Sequence, residues 1–134
     1  MRVVLNNGVI VERFANHVLT TLPSGETSAN WPHPDDAGYV EVARQCGFGL
    51  DRLLDYVFEH ELLHSLLPLR LFGRPGYTVR MAAQGKKADL AGAMAEERLI
   101  YYAQRLVADA AYPCPDPQWV ALADEVRALG TRIA

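Results

Sequence analysis

Composition places this 134-residue chain among globular proteins, since half of its residues are hydrophobic and 22% are charged. The length is that of one ordinary domain, so the sequence predicts a single domain over residues 1–134. The net charge is −3 and the basic residues are scattered along the chain, which predicts no nucleic-acid partner.

The sequence contains no segment that predicts export or a membrane span. No stretch approaches the roughly 20 apolar residues of a membrane helix, and the first apolar run is too short for a signal-peptide core. The two cysteines, Cys46 and Cys114, lie outside any Cys-x-x-Cys unit, which favours reduced thiols. We therefore expect a cytoplasmic protein without a membrane partner.

The first third of the chain has the pattern of β-strands. Apolar residues 3–5 and 9–11 flank an Asn-Asn-Gly sequence, which favours a hairpin turn because Asn and Gly tolerate positive φ. The second strand is predicted to continue or bend through residues 14–22. Residues 23–38 are rich in Pro, Ser, Gly, Asn and Asp, which predicts a long loop. A third strand is predicted at residues 39–45, where side chains alternate.

The pattern becomes helical after residue 49. Residues 50–67 repeat apolar side chains at intervals of three and four, with Asp51 as an N-cap or first-turn acid. Pro68 and Gly73 are predicted to end this helix.

The rest of the chain predicts one short strand and two more helices, at residues 77–81, 88–111 and 116–130. Strands that precede helices indicate an α+β fold. We expect a small antiparallel or mixed sheet of about three strands, packed against the helix at 50–67, a second long helix and a C-terminal helix.

The helix at 50–67 carries the sequence His60-Glu61-Leu62-Leu63-His64, the pattern H-E-x-x-H. Helical residues four apart lie on one face, so both imidazoles can bind the same metal ion. Two neutral ring nitrogens suit zinc, which lowers the pKa of a bound water to about 7. Glu61 lies one step round the helix and can take the proton of that water as a general base. The pattern therefore predicts a Zn²⁺ site.

On these five residues the chain resembles the zincin metallopeptidases. The metzincin branch requires Gly and a third His at positions where this chain has Leu67 and Arg70. The resemblance instead points to a minimal, gluzincin-like zincin, in which the third ligand is a glutamate from a later helix. An edge strand that receives an extended peptide is also implied by this resemblance.

Glu96 and Glu97 on the second long helix are the candidates for that glutamate. Glu96 lies in the apolar stripe of its helix, where a carboxylate is costly unless it is paired or metal-bound. We therefore favour Glu96 as the third ligand, with Glu97 as a neighbour of the ligands or a solvated residue.

Three further residues are candidates for stabilising the developing oxyanion or lining the site. Tyr77 and Arg80 lie between the two site helices, and His33 lies in the predicted long loop. His33 is also an alternative third ligand.

The sequence thus predicts a zinc-dependent metallopeptidase that acts on a peptide or protein substrate. One alternative is a non-catalytic zincin-fold module whose zinc is structural and whose sheet edge binds a partner protein. Another is a zinc hydrolase of a non-peptide substrate. The sequence does not predict an oligomeric state.

Overall fold

The computed structural model describes residues 1–5 and 7–109, except for the side chain of residue 71. Within this range an antiparallel sheet is followed by helices, which confirms the predicted α+β class. A 3₁₀ turn at Leu50–Arg52 leads into the second helix. The elements are β1 (Arg2–Val4), β2 (Ile10–Arg13), β3 (Val18–Thr21), β4 (Thr27–Asn30), α1 (Ala37–Cys46), α2 (Leu53–Phe72), α3 (Tyr77–Ala83) and α4 (Leu90–Ala108).

The sheet is a meander with strand order β1-β2-β3-β4, and every neighbouring pair is antiparallel. The predicted first hairpin is present, and Val3 pairs with Val11 in it. The second predicted strand is in fact two separate segments, because the chain turns between Arg13 and Val18. The predicted loop at 23–38 was also wrong in part, since it contains β4.

The third strand predicted at residues 39–45 was wrong, because this segment is helix α1. The Asp36 side chain caps its first turn by accepting from the backbone of Gly38 and Tyr39. Gly47 ends the helix with φ 72°, a conformation that glycine adopts without steric cost. The two caps favour a helix more strongly than the short alternating pattern favours a strand.

Helix α2 extends further than predicted, through Pro68 to Phe72, and ends at Gly73 with φ 65°. Pro68 has no N–H to donate to the carbonyl oxygen of His64, four residues earlier. That carbonyl packs against Gly76, where a Cβ would lie only 2.7 Å from the oxygen. Tertiary packing therefore accommodates a residue that ends most helices.

The short strand predicted at residues 77–81 was also wrong, because these residues begin helix α3. Its first N–H, that of Tyr77, donates to a carboxylate oxygen of Glu96 at 2.9 Å. Because the acceptor for the first N–H of α3 lies on α4, no local pattern in the sequence predicts where this helix starts. The predicted second long helix corresponds to α4, and the helix predicted at 116–130 lies outside the described residues.

Two apolar clusters place α2 at the centre of the described fold. One side of α2 packs on the sheet through Val57, Phe58 and Leu62, which contact the strand residues Val11 and Val18. The other side packs on α4 in a cluster of Leu63, Leu67, Ile100 and Ala103. As a result, residues 60–64 lie between β3–β4 on one side and α4 on the other.

Candidate metal centre

The two histidines of the H-E-x-x-H pattern converge as the helical spacing predicts. The His60 and His64 Nε2 atoms are 3.2 Å apart. His60 is 6% exposed, so its ring is almost completely removed from water. The two rings meet edge to face, with centroids 4.9 Å apart.

The partner of each Nδ1 atom determines which ring nitrogen carries the proton. The Tyr56 carbonyl can only accept a hydrogen bond, so the Gln104 amide nitrogen must be the atom that donates to it. The Gln104 amide oxygen therefore faces His60 Nδ1, at 2.8 Å. A Glu96 carboxylate oxygen lies 3.1 Å from His64 Nδ1. Both Nδ1 atoms are therefore donors, so Nε2 is the atom through which each ring, when neutral, could bind a metal.

Glu97 contacts both of these Nε2 atoms. One carboxylate oxygen lies 2.8 Å from His60 Nε2 and the other lies 2.8 Å from His64 Nε2. The Glu97 side chain is 40% exposed, whereas that of Glu96 is 8% exposed. Glu97 thus lies where a third ligand would be, and Glu96 lies behind His64.

This arrangement differs from the one favoured by helix periodicity. The periodicity placed Glu96 correctly on the buried face of α4, where the structure has it. Its carboxylate is, however, occupied by His64 Nδ1 and the Tyr77 N–H. Hydrogen bonds within the protein therefore satisfy the buried Glu96 carboxylate. The geometry favours Glu97 over Glu96 as the metal ligand.

The donor set fits a zinc ion. Tetrahedral zinc with bonds of about 2.0–2.1 Å to two histidine nitrogens separates those nitrogens by about 3.3 Å. The observed Nε2 separation is 3.2 Å. His60, Glu61 and His64 each also offer a ligand atom within 4.8 Å of the others. Two imidazoles and a carboxylate are the ligands of many catalytic zinc sites.

Glu61 is held beside the centre by two residues of the sheet. Its carboxylate accepts a hydrogen bond from the Asn30 amide at 2.8 Å and one from the Thr20 hydroxyl at 3.2 Å. Both donors come from the edge of the sheet formed by β3 and β4. They hold the Glu61 carboxylate beside the histidines, where it lines the cleft.

The electrostatic field at the centre favours positive charge. Burial lowers the pKa of His64, but its hydrogen bonds to Glu96 and Glu97 and the charge of Glu61 outweigh burial and raise that pKa to about 10. Burial raises the pKa of Glu97, but hydrogen bonds from His60 and His64 hold it well below its usual value. The same carboxylates would attract a divalent cation.

Two cavities meet at the centre and share Asn30, Glu61 and Glu97 in their linings. The smaller has a volume of about 80 Å³ and adjoins His60. The larger has a volume of about 340 Å³ and adjoins His64. We call them the small half and the large half of the cleft.

Tyr39 from α1 and Tyr101 from α4 line the small half, and neither was predicted as a site residue. Tyr101 lies one helical turn after Glu97, and its ring centroid is 4.6 Å from that of His60. Burial and the nearby charge of Glu97 raise the pKa of Tyr101 to about 12, so its hydroxyl stays protonated at neutral pH. The i,i+4 spacing from Glu97 was the available signal for Tyr101. No signal was available for Tyr39, because its segment was predicted as a strand.

The three secondary candidates have other contacts. The Tyr77 hydroxyl accepts from the Asp89 N–H, and its backbone N–H supports Glu96. The Arg80 guanidinium donates to the Pro75 carbonyl. His33 is exposed, and its Nδ1 accepts from the Asp35 N–H. No hydrogen bond or ion pair among the described residues joins any of these three side chains to His60 or His64.

Comparison with known proteins returned no matching family model, no matching curated protein and no matching solved structure. None of the helices in residues 1–5 and 7–109 combines the length and apolarity needed to cross a membrane.

Proposed function

We propose that this chain is a zinc-dependent metallopeptidase, with His60, His64 and Glu97 as metal ligands and Glu61 as general base. The observation that carries the proposal is the convergence of the two histidine Nε2 atoms and both oxygens of Glu97 on one point. The proposal departs from the sequence-based preference for Glu96 in the third position.

Glu61 suits the role of base because its position is fixed and its carboxylate is accessible from both cavities. Thr20 and Asn30 orient it, since both donate hydrogen bonds to its oxygens. A carboxylate in that place takes a proton from an attacking water and returns it to the leaving amine. A purely structural zinc site has no need of such a base, which supports an enzyme over a binding module.

A bound zinc ion would supply Lewis acidity, polarising a carbonyl and lowering the pKa of a water to about 7. The chain's own contribution is to position the reacting groups. Gln104 and Glu96 fix the two imidazoles, a type of outer contact that increases metal affinity. Tyr39 and Tyr101 line the wall beside His60, where a phenol hydroxyl can donate to the oxyanion that forms from the carbonyl.

The test compares metal content and casein hydrolysis for the wild type, His60→Ala and Glu61→Gln. We expect about one zinc in the wild type and in Glu61→Gln, none in His60→Ala, and cleavage by the wild type alone. Stoichiometric zinc without cleavage of casein or of a random peptide library would refute the peptidase proposal. A wild type that takes up no zinc would refute the metal site itself.

The third ligand is tested with a matched pair on adjacent positions of α4, Glu96→Gln and Glu97→Gln. Removing a ligand should lower zinc affinity by more than removing a group that only orients His64. We expect Glu97→Gln to lose its zinc during dialysis, and Glu96→Gln to retain it with an affinity about 10- to 100-fold weaker. The reverse order would restore Glu96 as the ligand.

A further inference from the structure

We propose that the large half of the cleft binds the side chain of an arginine or lysine residue of the substrate. This proposal rests on the proposed peptidase function and adds the substrate class to it. It is based on three features of that half, which are its size, its apolar walls and the sign of its charge.

The walls suit the hydrocarbon part of a long side chain. Val9 is 1% exposed and forms part of the lining, while Leu22 and Val79 line the same half and are partly buried. Lys and Arg side chains bury their methylene groups along apolar surface and keep the charged end hydrated. A volume of about 340 Å³ accommodates such a side chain, whereas the small half, at about 80 Å³, does not.

The charge of this half is entirely negative apart from His64. Four glutamates contribute to its lining, and no lysine or arginine does. Three of them belong to the candidate centre, so even a bound divalent cation would leave two formal negative charges. This field attracts a cationic side chain and repels an acidic one.

Glu26 is the glutamate that the centre does not use. It lies in the turn before β4, is exposed, and makes no ion pair with another described residue. Its carboxylate is therefore available to a guanidinium or ammonium group whose stem lies against Leu22 and Val79. No feature of the sequence separated Glu26 from the other exposed acids.

The experiment measures peptide binding with the Glu61→Gln protein purified in zinc, so that no cleavage intervenes. Acetylated hexapeptides carry Arg, its neutral isostere citrulline, or Glu at each position in turn, and calorimetry gives Kd. At one position, we expect the peptide with Arg to bind about fivefold tighter than the peptide with citrulline, because a partly exposed ion pair contributes about 1 kcal/mol. The peptide with Glu at that position should bind weakest. The preference should shrink in about 0.5 M salt.

The matched variants are Glu26→Gln and Glu12→Gln, each in the Glu61→Gln background. Glu12 pairs with Leu19 across the sheet and lines neither half of the cleft. We expect Glu26→Gln to remove most of the preference for Arg over citrulline, and Glu12→Gln to leave it unchanged. Equal effects of the two variants, equal binding of Arg and citrulline, or no binding of any peptide would each overturn the proposal. A clear Arg preference in a protein whose wild type cleaves nothing would retain this binding site while refuting the peptidase.

Discussion

At the scale of single residues, the candidate centre depends on hydrogen bonds made on the far side of each imidazole. Gln104 is 2% exposed and is fully used: its oxygen faces His60 Nδ1, and its nitrogen donates to the Tyr56 carbonyl and to Glu59. Because the amide cannot rotate without losing all three contacts, it holds His60 Nδ1 as a donor and leaves Nε2 for the proposed metal.

Substituting Gln104→Leu should therefore weaken zinc binding about 10- to 100-fold, the usual range for losing such an outer contact. Zinc affinity is measured by competition with a chelator, and the thermal stability of the metal-free protein is measured beside it. Gln104→Glu restores an acceptor for His60 Nδ1 and should recover part of the affinity. A fall in stability with unchanged zinc affinity would show that Gln104 has only a packing role.

The Tyr101 hydroxyl has no hydrogen-bond partner among the described residues and lines the cleft beside His60. If it donates to the oxyanion, Tyr101→Phe should lower kcat about 100-fold with little change in KM. Tyr102→Phe removes a hydroxyl from the next position of the same helix, outside both halves of the cleft, and serves as the control. Unchanged kcat in Tyr101→Phe would exclude this role and leave Tyr39 as the candidate.

At the scale of secondary structure, two glycines allow α3 and α4 to pack closely against each other. Gly92 lies in the first turns of α4, where a Cβ would meet the Tyr77 ring at 2.5 Å. Gly76, before α3, lies equally close to Glu96, where a Cβ would be 2.5 Å from a carboxylate oxygen. These close approaches allow the Tyr77 N–H to reach Glu96, and through Glu96 they help to position His64.

Gly92→Ala separates helix propensity from this packing, because the two effects have opposite signs. Propensity alone predicts that alanine stabilises the helix by about 1 kcal/mol. The contact with the Tyr77 ring predicts instead a loss of about 1–3 kcal/mol and weaker zinc binding, as Tyr77 moves away from Glu96. Denaturant unfolding and zinc titration measure both, and a more stable variant with unchanged zinc affinity would contradict the role of this contact.

At the scale of the whole molecule, the proposed ligands connect two of the packed layers. His60 and His64 belong to α2, Glu97 belongs to α4, and Glu61 is held by the sheet. The sheet, α2 and α4 therefore all contribute to one candidate site, and the proposed metal site would exist only in the native state.

Zinc should consequently stabilise the native state. At a free zinc concentration 100-fold above Kd, the free energy of unfolding should rise by about 2.7 kcal/mol. Differential scanning calorimetry should show a higher Tm with zinc, and removal of zinc by a chelator should reverse the change. His60→Ala should show no increase, and an equal increase in that variant would indicate zinc binding elsewhere.

The sequence alone was sufficient for the residues whose relation is local. The four-residue spacing of His60 and His64 on a helix places both rings on one face, and helix geometry fixes this whatever surrounds it. The first hairpin, α2, α4 and the α+β class follow likewise from short-range patterns.

What the tertiary structure decided concerns contacts between elements. Glu96 and Glu97 are adjacent in sequence, and only the packing of α4 against α2 and α3 determines which of them meets the Nε2 atoms. The same holds for Asn30 and Thr20 on Glu61, and for the start of α3, whose N–H partner is Glu96. A local pattern reports helix and strand propensity, whereas these contacts join residues about 20–40 positions apart and form only when the layers pack.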